Sequence, residues 1–546
     1  MLAFRRSLLV GVCLLTVTAC AGAAVPPPEG PPTTITLTPF LPTTATPTPE
    51  VIRLWIAPSV PPALNNLFVE RIRASGQAVL WVKVEEEAAV RLQPSEGIPF
   101  AQWTYALVAP FPTIEDGLSW ESLVSTWQGE IDEGHSLLVT ADVDALMQAL
   151  LGPSDAGAAR SPAETLMDQA WGTNGALSVV PFEDLQPRWK VFEIDGRSPI
   201  RKDYAPEGYP LQVTFGLDGE PQAVARLAQA LGLPDSVEAN RQPDRLTTIV
   251  ITGVTALTRA TAWTMSVKGA DYPAELVGDW LRSADITHVS NEVAFDPDCP
   301  PPSPDLYALT FCSQPDHVSL LETIGVDVIE LTGNHVLDAG ARAFLYSMDL
   351  YDERGWATFG GGRDLSSARR PALFEHNGNR IAFLGCNEAG PTGAWAREDA
   401  PGAMPCGTDR LRAEIEGLRQ DGYLPIFTFQ WHEHYVAWPT ASQRQTFLAA
   451  AAAGAAVVSG SQAHQPQGFE FAGDSFVHYG LGNLFFDQMW SQAVRQEFID
   501  RYVVYDGRLV SVELLTALLE DFAQPRPMTD AERASFLGMI FTASGW

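Results

Sequence analysis

The chain has 546 residues, 46% of them hydrophobic, with 35 basic against 66 acidic side chains and a formal net charge of −31. About 500 residues of globular composition exceed one ordinary core and imply at least two domains. A charge of that sign excludes nucleic acid and anionic lipid surfaces as electrostatic partners, and it repels a free polyanion unless a basic patch or metal ions receive it.

Residues 1–19 carry Arg5-Arg6, an apolar run over 8–15 and small residues ahead of Cys20, the pattern of a secretory signal. Val17-Thr18-Ala19-Cys20 fits the bacterial lipoprotein pattern, in which Cys20 becomes the lipidated N-terminus; an ordinary cleaved signal is the competing reading. No later stretch approaches the ~18 to 20 apolar residues of a spanning helix. The expected location is therefore extracytoplasmic, with the membrane reached through a lipid anchor. Residues 20–50 hold nine prolines and many threonines with almost no charge, a composition for an extended tether.

Residues 51–243 alternate strand-like runs (53–56, 78–84, 105–109) with helical ones (64–74, 120–127, 143–151, 221–231), as in an α/β domain. Ala109-Pro110-Phe111-Pro112, the segment 171–182 and Tyr209-Pro210-Leu211 resemble periplasmic solute-binding proteins of the phosphate-binding type. The resemblance implies a small ligand met by strand-end loops, with Thr113, Thr173 and Asn174 as candidates; ordinary turn residues are the alternative.

Residues 244–515 open on the β-branched run 246–251. Four further apolar strands, at 326–331, 380–385, 424–429 and 455–459, each run straight into polar loop residues, with helices at 337–353 and 442–453 between them. Carboxyl ends of strands in α/β sheets are where sites are built, so distant His, Asn and Glu residues should meet on one rim. Cys299, Cys312, Cys386 and Cys406 form an even set whose simplest pairing is Cys299-Cys312 and Cys386-Cys406, although four cysteines allow three pairings. A zinc site competes, without the short Cys-x-x-Cys spacing in its favour.

The order of Asn291-Glu292, Thr332-Gly333-Asn334-His335 with Asp338 and Gly340, Trp431 to Tyr435, Gly460 to His464, and Tyr479-Gly480-Leu481-Gly482-Asn483-Leu484-Phe485-Phe486-Asp487 resembles the capsule-synthesis proteins of the CapA type. That family includes the poly-γ-glutamate synthesis protein PgsA, and its fold is similar to the calcineurin-like metallophosphatase β-sandwich with flanking helices. The resemblance covers residues 246–515 and departs from the family pattern in places. Gly253-Val254 stands where the family has Gly-Asp. Gln430-Trp431-His432-Glu433-His434-Tyr435 replaces His-Trp-Gly-x-Glu-Tyr, and Gly460-Ser461-Gln462-Ala463-His464 keeps only the last histidine of Gly-His-His-Pro-His.

A two-metal phosphoesterase needs about seven ligands, carboxylate among them. Valine cannot coordinate, and glutamine is a weaker donor than imidazole for zinc, iron or manganese, so a full dinuclear centre is not expected. What the resemblance leaves is one divalent metal (Mn, Zn or Fe) on Glu292, Asn334, His335, His432 or His434, and His464, or no metal at all. Glu433 and His434, with Asn334 and His335, are the catalytic candidates. Asn291, Gln430, Trp431, Gln462 and Asn483 are ligand-binding candidates, with Trp431 and Trp438 as stacking surfaces for a carbohydrate or peptide. The plainer readings make Asp338 a helix cap, the 432–434 triplet a surface cluster, and Asp327 and Glu330 solvated strand residues.

Two functions follow from the resemblance. One is a metal-dependent hydrolase or transferase acting on an extracellular polymer, poly-γ-glutamate or a capsule polysaccharide. The other is a non-catalytic binding or assembly protein holding that polymer or its synthesis machinery. Residues 516–546 form a C-terminal extension, broken at Gln524-Pro525-Arg526-Pro527, with Thr529 and Glu532 as a capping box for a last helix.

Overall fold

The run Leu246–Thr252 is β-branched at six of seven positions and buried along its whole length, which fits a strand covered on both faces. In the computed structural model, which describes Gly30 and residues 51–129, 134–154, 158–308 and 311–546, it pairs in parallel with Ile286–Asn291 and antiparallel with Gln496–Tyr505. The sheet runs Ala357–Phe359, Val328–Glu330, Ile286–Asn291, Leu246–Thr252, Gln496–Tyr505, Arg508–Glu520 and Gln524–Pro527. A second sheet orders Ala372–His376, Asn379–Asn387, Leu424–Gln430, Val457–Ser461, Ser475–His478 and Phe469–Ala472.

Period-2 alternation decides how these sheets pack. Ile249 and Ile251 meet Phe383, Ile426, Phe476 and Phe498 between the sheets. Val250 faces the other way, toward Met265, Leu320 and Phe344 of the outer helices. The second sheet is backed by Leu411, Ile415 and Phe447 from Thr408–Gln420 and Ala441–Ala452. Both expected disulfides, Cys299–Cys312 and Cys386–Cys406, are formed.

The predicted strands and helices of residues 51–243 lie in and around a mixed sheet whose long member, Ile98–Pro110, pairs with Gln212–Gly219 and Ala176–Pro181. The seam with the following sheets is aromatic. Phe111 meets Phe469, Phe471, Phe476, Phe541 and Trp546 at ring-centroid distances of 6.0, 5.2, 5.4, 6.4 and 5.8 Å, and Phe182 lies edge-on to Tyr505. Residues 51–546 form one compact unit. The signal, Cys20 and the tether lie outside the described residues. Among the described residues no helix is long and apolar enough to cross a membrane.

Two local readings are corrected. Gln524–Pro527 is an edge strand against Arg508–Glu520 rather than a break, and the sheet edge tolerates its prolines. The capping box at Thr529 and Glu532 is present and opens Asp530–Ala543. Glu330 is not solvated: it is buried, bonded to His288 Nε2 at 3.1 Å and to the Thr332 hydroxyl. A matching buried pair, His478 Nδ1 and Asp500 Oδ2 at 2.6 Å, also takes the Tyr502 hydroxyl.

Glu497 differs from these pairs, because neither of its buried carboxyl oxygens has a partner, and burial pushes its carboxyl well above the usual range. A raised folded value means its contribution to stability is intact below about pH 4.3 and is lost as pH rises toward the folded value. Glu497→Gln should therefore melt progressively higher than wild type as pH is raised from 5 to 8, the gap growing by up to about 1.4 kcal/mol per pH unit. An offset that stays constant with pH in thermal melts would contradict this.

Candidate functional site

Parallel strands deliver their carboxyl ends to one rim. Gln430 ends Leu424–Gln430 and is fully buried. Its Nε2 lies 2.6 Å from Glu292 Oε1, 3.0 Å from Asn334 Oδ1 and 2.7 Å from Gln462 Oε1. Its own Oε1 is buried without a partner. Glu292 and Asn334 meet because residue 333 is glycine: a Cβ there would stand 2.7 Å from Glu292 Cα and 2.9 Å from its carbonyl oxygen. Gln462 and His464 carry φ values of +75° and +54°, strained for side chains with a Cβ and of a kind that gathers at functional sites.

Beside this cluster stand two oriented histidines. Asn483 Oδ1 accepts from His464 Nδ1 at 2.8 Å, which leaves His464 Nε2 free, 3.7 Å from Glu433 Oε1. The Tyr435 hydroxyl donates to Glu433, and the Tyr435 ring lies 5.6 Å from exposed Trp490. His335 Nδ1 bonds Asp338 Oδ2 at 2.8 Å, and the same oxygen accepts from the Phe311 amide. Burial pulls the His335 imidazole down, but the Asp338 hydrogen bond and the charges of Glu292 and Asp338 outweigh it, leaving it above its usual range. Arg259 pairs with Asp487 and lies over the rings of Phe311 and Phe486, at 4.8 and 5.0 Å.

Glu292, Asn334, Gln430 and Gln462 are thus brought together, and His464 with Asn483. Asn291 turns inward, its Nδ2 donating to the Tyr351 hydroxyl and the Val293 carbonyl. Trp431 is 5% exposed, packed against Phe429 and Phe447, so it offers no face to a ligand. Trp438 and Trp490, 60% and 62% exposed, do. His432 is exposed and edge-on to Trp431, and His434 is half-buried. Asp338 orients His335 rather than capping the helix Gly340–Arg354. Arg259, Tyr435 and Trp490 were not among the residues expected at the site; a tryptophan three residues beyond Asp487, where the Tyr479–Asp487 motif ends, was the available signal for the last. In the N-terminal part, the hydroxyls of Thr113 and Thr173 bond the carbonyls of Pro110 and Gln169, and Asn174 is exposed.

Across residues 248–488 the chain matches the family model described as Bacterial capsule synthesis protein PGA_cap. This segment is a PGA_cap domain. Over 218 residues it is 25% identical to the capsule biosynthesis protein CapA of Bacillus anthracis, covering 39% of this chain and 53% of that one. Over 243 residues it is 23% identical to the PGA biosynthesis protein CapA of Bacillus subtilis strain 168, covering 44% and 63%. The chain therefore spans little more than half the length of these curated relatives. An ABC-type phosphate transport receptor from Vibrio cholerae is similar over 34% of this chain and 94% of its own, at 12% identity and a TM-score of 0.29.

The donor set of the PGA_cap domain does not fit the metal that the family resemblance implies. Glu292 is the one carboxylate at the convergence point, Asn334 and Gln462 add neutral oxygens, and the centre is filled by an amide nitrogen, which donates hydrogens and cannot ligate a cation. Among the described residues no group of three or more His, Cys, Asp or Glu is disposed to hold an ion.

Asp338→Asn removes the charge that holds the His335 imidazole up. Since a raised histidine stabilises most below about pH 6.5 and loses that contribution as pH rises through its folded value, the melting gap between wild type and variant should be widest near pH 5.5 and narrow by pH 8.5. A gap that widens with pH would contradict the assignment.

Proposed function

We propose that the chain is a lipid-anchored, extracytoplasmic protein of capsule or poly-γ-glutamate biosynthesis whose PGA_cap domain holds an extracellular polymer. In this reading the domain has a metallophosphatase-like sandwich, and a solute-binding-like α/β part precedes it. The observation that carries the binding role is the filled centre at Gln430, which keeps the rim polar and ordered without the open coordination position that metal-assisted hydrolysis uses. Support for a polymer comes from the exposed aromatic faces of Tyr435, Trp438 and Trp490, the first and last of which lie 5.6 Å apart. Rings of this kind stack on extended chains with modest demands on charge.

Charge sharpens the mode of binding. The rim presents exposed Glu433 on a protein of net charge −31, so stacking and hydrogen bonding, rather than ion pairing, should supply the affinity. Measured by titration calorimetry, binding of a neutral capsule polysaccharide should vary little between low and physiological salt, and binding of poly-γ-glutamate should strengthen as salt screens the like-charge repulsion. Trp490→Ala should weaken both about tenfold, equivalent to ~1.4 kcal/mol. Binding that weakens steeply with salt, or no binding of either polymer, would count against this reading.

The oriented histidines favour a second reading. His464 Nε2, beside Glu433, and His335, held by Asp338, are groups that acid–base chemistry on a polymer would use, with His434 next to Glu433 and Asn334 next to His335 in sequence. Loss of polymer cleavage in both His464→Ala and His335→Ala, with binding retained, would establish it.

The lipid anchor rests on the Cys20 motif. Cys20→Ala should move the protein from the membrane pellet to the soluble fraction and abolish incorporation of labelled fatty acid; a variant that stays in the pellet removes the support for anchoring.

A further inference from the structure

Three oxygens from three separate chain segments, Glu292 Oε1, Asn334 Oδ1 and Gln462 Oε1, converge on one point. That point is occupied by Gln430 Nε2. Glu292, Gln430 and Gln462 are buried, so these acceptors need an electropositive centre. Two amide hydrogens supply it, shared among three oxygens, and the short bond to the carboxylate is charge-assisted. The arrangement leaves Gln430 Oε1 unpaired inside the protein, an unfavourable feature that persists only if the nitrogen is worth more at the centre than the oxygen is outside it.

We propose that the Gln430 side-chain amide is a built-in replacement for a cation: its nitrogen sits where an ion would, so the wild-type rim is ordered by hydrogen bonds and neither takes up nor needs a divalent metal. The opposite amide orientation marks the boundary of the idea. It would set four oxygens against one another at 2.6–3.0 Å, and only a cation between them could hold that set together.

The substitution that exposes the replacement is Gln430→Asp. The shorter side chain vacates the centre and adds a second carboxylate, creating an all-oxygen donor set suited to a hard divalent ion such as Mn²⁺ or Ca²⁺. Full-length wild type and variant, stripped with a chelator, are titrated with MnCl₂ and CaCl₂; thermal unfolding is followed, and metal is counted by mass spectrometry after desalting. Wild type should retain under ~0.1 equivalent and keep its melting temperature. Gln430→Asp should melt lower than wild type without metal, take up about one equivalent and recover several degrees with Mn²⁺ or Ca²⁺.

Uptake of about one equivalent by the wild type, with a rise in melting temperature, overturns the proposal. So does a Gln430→Asp variant that is folded by circular dichroism yet binds no ion. If that variant does not fold, the wild-type titration alone decides. Polymer binding by metal-free wild type is measured separately, so loss of the binding role and loss of the cation replacement are distinguishable results.

Discussion

The contact between Gln430 and Glu292 is where the two sheets of the sandwich close on one another at their carboxyl ends. Glu292 follows the strand Ile286–Asn291 of one sheet, and Gln430 finishes Leu424–Gln430 of the other. A carboxylate this deeply buried must be compensated, and the Gln430 amide nitrogen, 2.6 Å away, is its donor; the surrounding loops shape the place where the two meet. Gly333 lets the Asn334 loop approach, Gln462 adopts a left-handed backbone to present its amide, and Ser290 bridges to Ser461 at 3.2 Å. The geometry of the rim thus centres on the one amide nitrogen that Glu292, Asn334 and Gln462 share.

Much of the scaffold was legible in the sequence because local patterning and tertiary packing agree. The strand leading into Gly333-Asn334-His335, the run 246–251, the helix after Thr440 and the capping box at Thr529 all follow from periodicity and turn chemistry. The disulfide pairing followed from proximity in sequence. What failed has a common cause: sequence gives residue identity, not which face a third layer will cover. Glu330 looked like a solvated acid until His288 beside it was seen to accept burial as a pair. Trp431 and Trp490 are chemically alike, yet one fills the core beneath Ala441–Ala452 and the other stands outside. Glu292, Asn334, Gln430 and Gln462 were all candidates from the sequence and do converge, but residue identity could not reveal that a nitrogen lies among their oxygens.

Buried polarity recurs away from the rim in a form that fixes the sandwich. His288 with Glu330 and His478 with Asp500 lie at opposite sides of the central strand Leu246–Thr252. Such pairs add little net stability when compared with apolar filler, but removing one partner is costly; His288–Glu330 ties neighbouring strands of one sheet, and His478–Asp500, which joins the two sheets, penalises sliding of one over the other. The rim inherits that rigidity, because its residues extend from the same strands. Arg259, held by Asp487 and two aromatic rings, supports its outer edge in the same manner.

Phe111 carries a mechanical consequence. It ends the long strand Ile98–Pro110, which runs through the N-terminal sheet, and its ring is enclosed by five aromatic side chains of the following domain. Any movement of the N-terminal part away from the sandwich would have to pull that ring out of its socket, exposing a large aromatic surface to water. The N-terminal part is thereby fastened to the sandwich through one aromatic socket.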